Sequence, residues 1–157
     1  MFLYEIFPPE LIKVDLQAVN KDEVFEEMVD RFCQALKSDA REELLEALKE
    51  REAKMSTGIH KGIAVPHGKS PALDKMYGIL GISKQGIDYD ALDGQPVYIL
   101  FMILAPPKDS EKHLRVLKRL AQLLDNTEFF TDLMAQRDAQ GVAGVLKKYE
   151  DILIGLD

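Results

Sequence analysis

A chain of 157 residues is long enough for one domain and buries roughly two-thirds of the surface that its unfolded form exposes. Its 46% hydrophobic and 30% charged residues are an ordinary globular mixture and exclude extended disorder. A formal charge of −7 argues against a nucleic-acid backbone as partner, which needs clustered Lys and Arg, and suits a basic protein surface better.

The single Cys33 cannot form an internal disulfide, and no C-x-x-C pair marks a thiolate metal site. The opening residues MFLYEIFPPE lack the basic start of a secretory signal and reach two prolines early. The longest apolar run, Val97 to Ala105, is far short of the roughly 20 residues of a membrane helix. A soluble, cytoplasmic protein without membrane insertion is expected.

In chain order, Leu11 to Leu16 alternates apolar and polar residues as a half-buried strand does. Asn20 with Glu23 forms a capping-box pattern, opening a helix with Val24, Phe25, Met28, Phe32 and Leu36 on one face. Cys33 falls at the edge of that face, where packing is its default role. Asp39 with Glu42 repeats the capping pattern and predicts a second helix to about Glu52. Its apolar stripe of Leu44, Leu45 and Leu48 also carries Arg51, which either snorkels to the surface or points into a site.

Strands are predicted at Met76 to Ser83 and Val97 to Ala105, with turns at Gln85-Gly86 and Asp93-Gly94. The second is almost continuously apolar, as a strand covered on both faces is. After Pro106-Pro107, Ser110 is the expected cap of a helix to about Asp125, with Leu117, Leu120, Ala121 and Leu124 on one face. His113 lies near the centre of that face, in the first turn. It is either a satisfied core histidine or a functional one, and the helix N-terminus favours its neutral form. Thr127 to Ala135 and Ala139 to Ile152 read as two further amphipathic helices.

The stretch with chemistry is Arg51 to Lys69, REAKMSTGIHKGIAVPHGK. His67 follows a short apolar run ending in Pro66, whose fixed φ stiffens the backbone, and precedes Gly68, where the chain is expected to turn. Ser56, Thr57 and Gly58 supply hydroxyls and flexible backbone just before it. If His67, His113, Arg51 and these groups meet, they suit a phosphoryl group or oxyanion: a guanidinium fork, further donors, and a neutral imidazole as nucleophile. A zinc site from His60, His67 and His113 would use the same residues, but their spacing matches no compact metal signature, so no metal or other cofactor is expected. A Ser-His-Asp hydrolase would need a nucleophile elbow, and there is no G-x-S-x-G.

The run S-T-G-I-H-K-G-I-A-V-P-H-G-K, preceded by Arg51-Glu52, closely resembles the active-site signature of the fructose/mannitol-type (type 2) enzyme IIA domains of the bacterial phosphoenolpyruvate-dependent sugar phosphotransferase system. The nitrogen-regulatory IIA proteins belong to the same family. The likeness continues through D-A-L-D-G-Q-P-V, F-M-I-L-A-P-P and E-K-H-L-R-V-L-K-R-L-A, and so covers nearly the whole chain. The resemblance implies a three-layer α/β/α fold with a mixed sheet, in a single IIA domain spanning residues 1–157.

It implies further that His67 accepts a phosphoryl group from an HPr-type phosphocarrier, with His113 and Arg51 as catalytic neighbours and Ser56, Thr57, Gly58 and Gly68 in support. The downstream partner would be a IIB domain or a regulatory target. The pair His60-Lys61 departs from the usual Gly and small polar residue, which concerns the partner-facing rim. With no fused IIB or HPr domain in this sequence, a stand-alone nitrogen regulator is the expected role, and sugar uptake through a IIB domain is the alternative.

Overall fold

The computed structural model describes residues 2–58 and 61–155. A short helix α1 (Leu3–Ile6) and a 3₁₀ turn (Pro9–Leu11) lead into strand β1 (Ile12–Lys13). Helices α2 (Lys21–Leu36) and α3 (Arg41–Lys54) follow, then β2 (Ile63–Ala64), β3 (His67–Lys69), β4 (Tyr77–Ile87) and β5 (Val97–Ala105). Helices α4 (Ser110–Leu124), α5 (Thr127–Met134) and α6 (Ala139–Ile154) close the described chain.

β4 and β5 pair antiparallel, while β1 lies parallel to β4, and β2 and β3 both lie parallel to β5. β2 and β3 are successive parts of one edge, with Ile63 opposite Ile99 and His67 opposite Ile103. Val65-Pro66 interrupts them, since proline offers no N–H to a ladder, yet the Pro66 carbonyl still accepts the Ile103 N–H at 2.9 Å. The stiff approach to His67 is therefore a strand edge clamped to the central strand.

Along β5, Ile99, Phe101, Ile103 and Ala105 face one apolar core with residues of α1, α4, α5 and α6. Leu100, Met102 and Leu104 face the other, filled from α2 and α3. This alternation on a doubly covered strand makes the fold a three-layer α/β/α arrangement with a mixed sheet, as expected from the sequence.

Several local expectations shift. The strand expected over residues 11–16 shrinks to Ile12–Lys13, although the Leu16 N–H still donates to the Ile82 carbonyl of β4 at 3.1 Å; beyond it, the N–H groups of Gln17 and Ala18 donate to the Glu27 carboxylate. Asn20 does cap α2, its Oδ1 accepting the Glu23 N–H at 2.9 Å. Leu36, 38% exposed, gains little of the roughly 1.5–3 kcal/mol that full burial of such a side chain contributes. α3 starts at Arg41 with Ala40 as its N-cap and no side-chain cap, since Glu42 is engaged by Arg41 and the Asp39 expectation is one residue early.

Gln85-Gly86 does not end β4. Gly86 adopts φ +88°, the register slips between Ile82 and Ile87, and pairing with β5 resumes. Gly94, at φ +71°, does form the expected turn, its N–H donating to the Ala91 carbonyl. Ser110 is the first residue of α4 rather than its cap, its hydroxyl donating to the Pro107 carbonyl at 2.8 Å.

Candidate functional site

The edge formed by β2 and β3 places His67 on the same side of the sheet as its register partner Ile103, the side on which α4 lies. Its Nδ1 is 2.9 Å from the Val65 carbonyl oxygen, and its Nε2 is 3.2 Å from the Arg51 Nε–H. Only one neutral tautomer satisfies both. Nδ1 carries the proton and donates it to Val65, while the Nε2 lone pair faces the guanidinium. Burial holds the His67 pKa below the ordinary histidine range; the Val65 bond opposes this and the Arg51 charge adds to it.

Arg51 arrives from the last turn of α3, at the end of the Leu44, Leu45 and Leu48 stripe. Its NH1 donates to the Met55 carbonyl at 2.9 Å, which holds the guanidinium across the mouth of the site. His113 comes from the first turn of α4 and is only 3% exposed. The two imidazoles stand edge to face, 5.2 Å between centroids at 89°. Among the described residues, His113 Nε2 is the buried side-chain polar atom without a hydrogen-bond partner. Such an atom costs stability unless a partner comes to it from outside the chain.

Burial, with smaller contributions from His67 and Lys69, pushes the His113 pKa down from 6.5 to about 4. Between those values the unfolded chain takes up a proton that the folded one refuses. Stability is therefore intact above pH 6.5 and is lost as the pH falls toward 4. Urea unfolding of the wild type should show about 2–3 kcal/mol of loss from this group between pH 7.5 and 4.5. His113→Gln should remove that part of the slope, and an unchanged slope would refute the assignment.

The supporting residues divide. The Ser56 hydroxyl accepts the Gly58 N–H at 3.1 Å, closing a tight turn, so that N–H is already engaged. Thr57 is 2% exposed, and its hydroxyl donates to Glu52 Oε1 at 2.6 Å while lying 2.7 Å from the Tyr89 hydroxyl. It borders the His67 pocket but its proton is spent on Glu52. Gly58 is needed for packing, since a Cβ there would sit 2.7 Å from the Ala91 Cβ.

Gly68 does not turn the chain. It is a strand residue facing α3, and a Cβ would lie 3.2 Å from backbone atoms of Ala47 and Leu48, so its small size lets α3 approach the edge. His60 lies outside the described residues. Among the described residues, no three His, Cys, Asp or Glu side chains gather in a way that could hold a metal ion.

A cavity of about 280 Å³ opens beside His67. Arg51, Thr57 and His67 form its polar part, and Leu117, Leu120, Ala121 and Leu124 of α4 form an apolar wall. The expected apolar face of α4 thus splits: Val116, Leu120, Leu123 and Leu124 are buried with His113, whereas Leu117 is half-buried and Ala121 exposed along the pocket. A larger cavity of about 700 Å³, walled by Tyr98 and Phe130, contains neither site histidine.

The pattern that describes the family "Phosphoenolpyruvate-dependent sugar phosphotransferase system, EIIA 2" matches residues 5–149. The chain belongs to this family.

The EIIA 2 protein is 34% identical over 146 residues to the nitrogen regulatory protein of Bradyrhizobium diazoefficiens, covering 93% of this chain and 95% of that one. It is 36% identical over 141 residues to the PTS system fructose-specific EIIA component of Haloferax volcanii, covering 90% and 92%. Against the fructose-specific EIIABC component of Bacillus subtilis it is 33% identical over 150 residues, spanning 96% of this chain but 24% of that longer protein. The crystal structure of nitrogen regulatory protein IIA-Ntr from Neisseria meningitidis superposes with a TM-score of 0.84 at 30% identity, covering 92% of this chain and 98% of that one. The Escherichia coli complex of enzyme IIAMTL with phosphorylated enzyme IIBMTL shares the fold, with a TM-score of 0.74 at 20% identity and coverage of 90% and 97%.

Membership makes this EIIA 2 protein a phosphotransfer component. Among the described residues no helix is long and apolar enough to cross a membrane. Two residues at the site were not singled out from the sequence, Glu52 and Tyr89. Glu52 had a readable signal, because it falls four residues after Leu48 and hence on the buried stripe of α3. Tyr89 had none, since its approach to Thr57 is a contact between residues 32 positions apart.

Proposed function

We propose that the protein is a cytoplasmic phosphoryl carrier, one IIA domain over residues 1–157, that takes a phosphoryl group on His67 Nε2 from the phosphohistidine of an HPr-type phosphocarrier. The observation that carries this reading is the His67 Nε2 lone pair, faced by Arg51 at 3.2 Å, with the unpartnered His113 Nε2 on the neighbouring ring. In the step, the Nε2 lone pair forms the new N–P bond as the donor's N–P bond breaks and its electron pair returns to the donor nitrogen. No net proton is consumed. The three equatorial oxygens are met by the Arg51 guanidinium and by a ring N–H of neutral His113, so positioning and charge carry the reaction without a metal.

The pocket's apolar wall suits a partner that excludes water from the transfer, and the charge of −7 suits a partner with a basic rim. The fold likeness to IIA-Ntr favours a nitrogen-regulatory role, in which the phosphorylation state changes affinity for a target protein. The likeness to a fructose-specific EIIA of nearly the same length supports the second reading, passage of the phosphoryl group to a IIB domain during sugar uptake.

Incubation with phosphoenolpyruvate, enzyme I and an HPr, followed by mapping of phosphohistidine by mass spectrometry, tests the carrier role. The label is expected on His67; no label, or label on His113, would overturn it. Adding a fructose-type IIB domain then separates the two roles. Rapid loss of label supports transport, and a persistent phosphoprotein supports regulation.

A further inference from the structure

Glu52 sits next to Arg51 but points the other way, into the protein, at 8% exposure. Its carboxylate receives four donors. Oε1 accepts the Thr57 hydroxyl at 2.6 Å and the Tyr89 hydroxyl at 3.3 Å; Oε2 accepts the Thr57 N–H at 2.9 Å and lies 3.1 Å from the Lys21 ammonium. One proton arrangement satisfies the cluster, with Thr57 donating to Glu52 and Tyr89 donating to the Thr57 and Glu52 oxygens. Burial alone would raise the Glu52 pKa, but the Thr57 bonds and Lys21 outweigh it and hold the carboxyl below its ordinary range.

The residue so held is itself the first link of a chain to the nucleophile. The Thr57 carbonyl accepts the Val65 N–H at 3.0 Å, and the Val65 carbonyl accepts the His67 Nδ1–H at 2.9 Å. The two neutral tautomers of an imidazole are chosen by the partner of one ring nitrogen, so the placement of that carbonyl decides which nitrogen is left with a lone pair.

We propose that Glu52 is a positioning residue for phosphoryl transfer: through Thr57 and Val65 it keeps His67 as the Nδ1–H tautomer, with the Nε2 lone pair at the pocket. The proposal rests on the reading of His67 Nε2 as the phosphoryl acceptor. It requires a group that only accepts hydrogen bonds. Glutamine has the same shape, but its NH₂ must face two of the four donors in either orientation, so Glu52→Gln breaks half the cluster without leaving a void.

The test measures ¹⁵N chemical shifts of the His67 ring in the unphosphorylated protein, together with the rate of labelling by phosphorylated HPr. Wild type should give the Nδ1–H signature. Glu52→Gln should give mixed tautomers and labelling slower by about tenfold to a hundredfold.

A folded Glu52→Gln protein with a pure Nδ1–H signature and the wild-type rate would overturn the proposal. Should Glu52→Gln fail to fold, Thr57→Val takes its place, and the same unchanged signature and rate would be equally fatal. If wild type takes no phosphoryl group, the carrier reading has failed, while the ring shifts still decide what Glu52 does to His67.

Discussion

His67→Ala should take up no phosphoryl group from phosphorylated HPr, with labelling below detection under conditions that saturate the wild type. The expectation follows from the distribution of lone pairs at the site. Arg51 offers only donors, and the Thr57 hydroxyl is engaged by Glu52. His113 is buried behind His67, where a dianionic phosphoryl group could not follow without its own cost of desolvation. His113→Ala should instead leave His67 competent but slow transfer by about a hundredfold, the usual consequence of losing one preorganised donor to a charged transition state. The two variants are told apart by mapping the residual label with time. Label that persists in His67→Ala, or that vanishes completely in His113→Ala while the protein stays folded, contradicts this division of roles.

Glu150→Ala should cost about 3–5 kcal/mol of stability, the range found when one partner is removed from a buried charged pair. Glu150 lies on α6 and is fully buried, yet it faces three donors. Its Oε2 accepts the Leu3 N–H at 2.7 Å and the Arg119 NH1 at 3.2 Å, and its Oε1 accepts the Tyr4 N–H at 3.2 Å. It therefore meets the first N–H groups of α1, which that four-residue helix cannot satisfy internally, and ties them to α4 through Arg119. Alanine would orphan both backbone groups and open a void. Thermal unfolding should move down by about 10 °C for a chain of this size. A loss below about 1 kcal/mol in urea unfolding would mean that water or a rearranged α1 replaces the carboxylate.

The three-layer fold was expected from the family resemblance, and Arg51, His67 and His113 were legible from where they stand relative to apolar residues, most clearly on the one-sided stripe of α4. Arg51 and His113 could be read as inward-facing because they interrupt apolar stripes, and His67 because Pro66 ends an apolar strand. The doubly covered β5 was legible from its unbroken apolar run. What the pattern did not carry is how hydrogen bonds are shared between distant segments. Ser56 and Thr57 looked like free hydroxyl donors, yet one closes a turn and the other is claimed by Glu52 and Tyr89. Gly68 looked like a hinge, and only the packing of Ala47 and Leu48 against it gives the reason for its size. Gln85-Gly86 looked like a turn because a bulge and a turn use the same glycine conformation.

The partner of His67 Nδ1 is a neutral carbonyl, where many reactive histidines lean on a carboxylate. A carboxylate would draw the ring proton toward itself and make the far nitrogen more basic, strengthening any bond formed there. The Val65 carbonyl fixes the ring's direction with much less of that electronic push. Under the carrier reading, a phosphoryl group held by Nε2 keeps a weakly basic leaving group behind it. Such a site is a waystation rather than a sink, since the far side of the ring does little to reinforce the bond that holds the group.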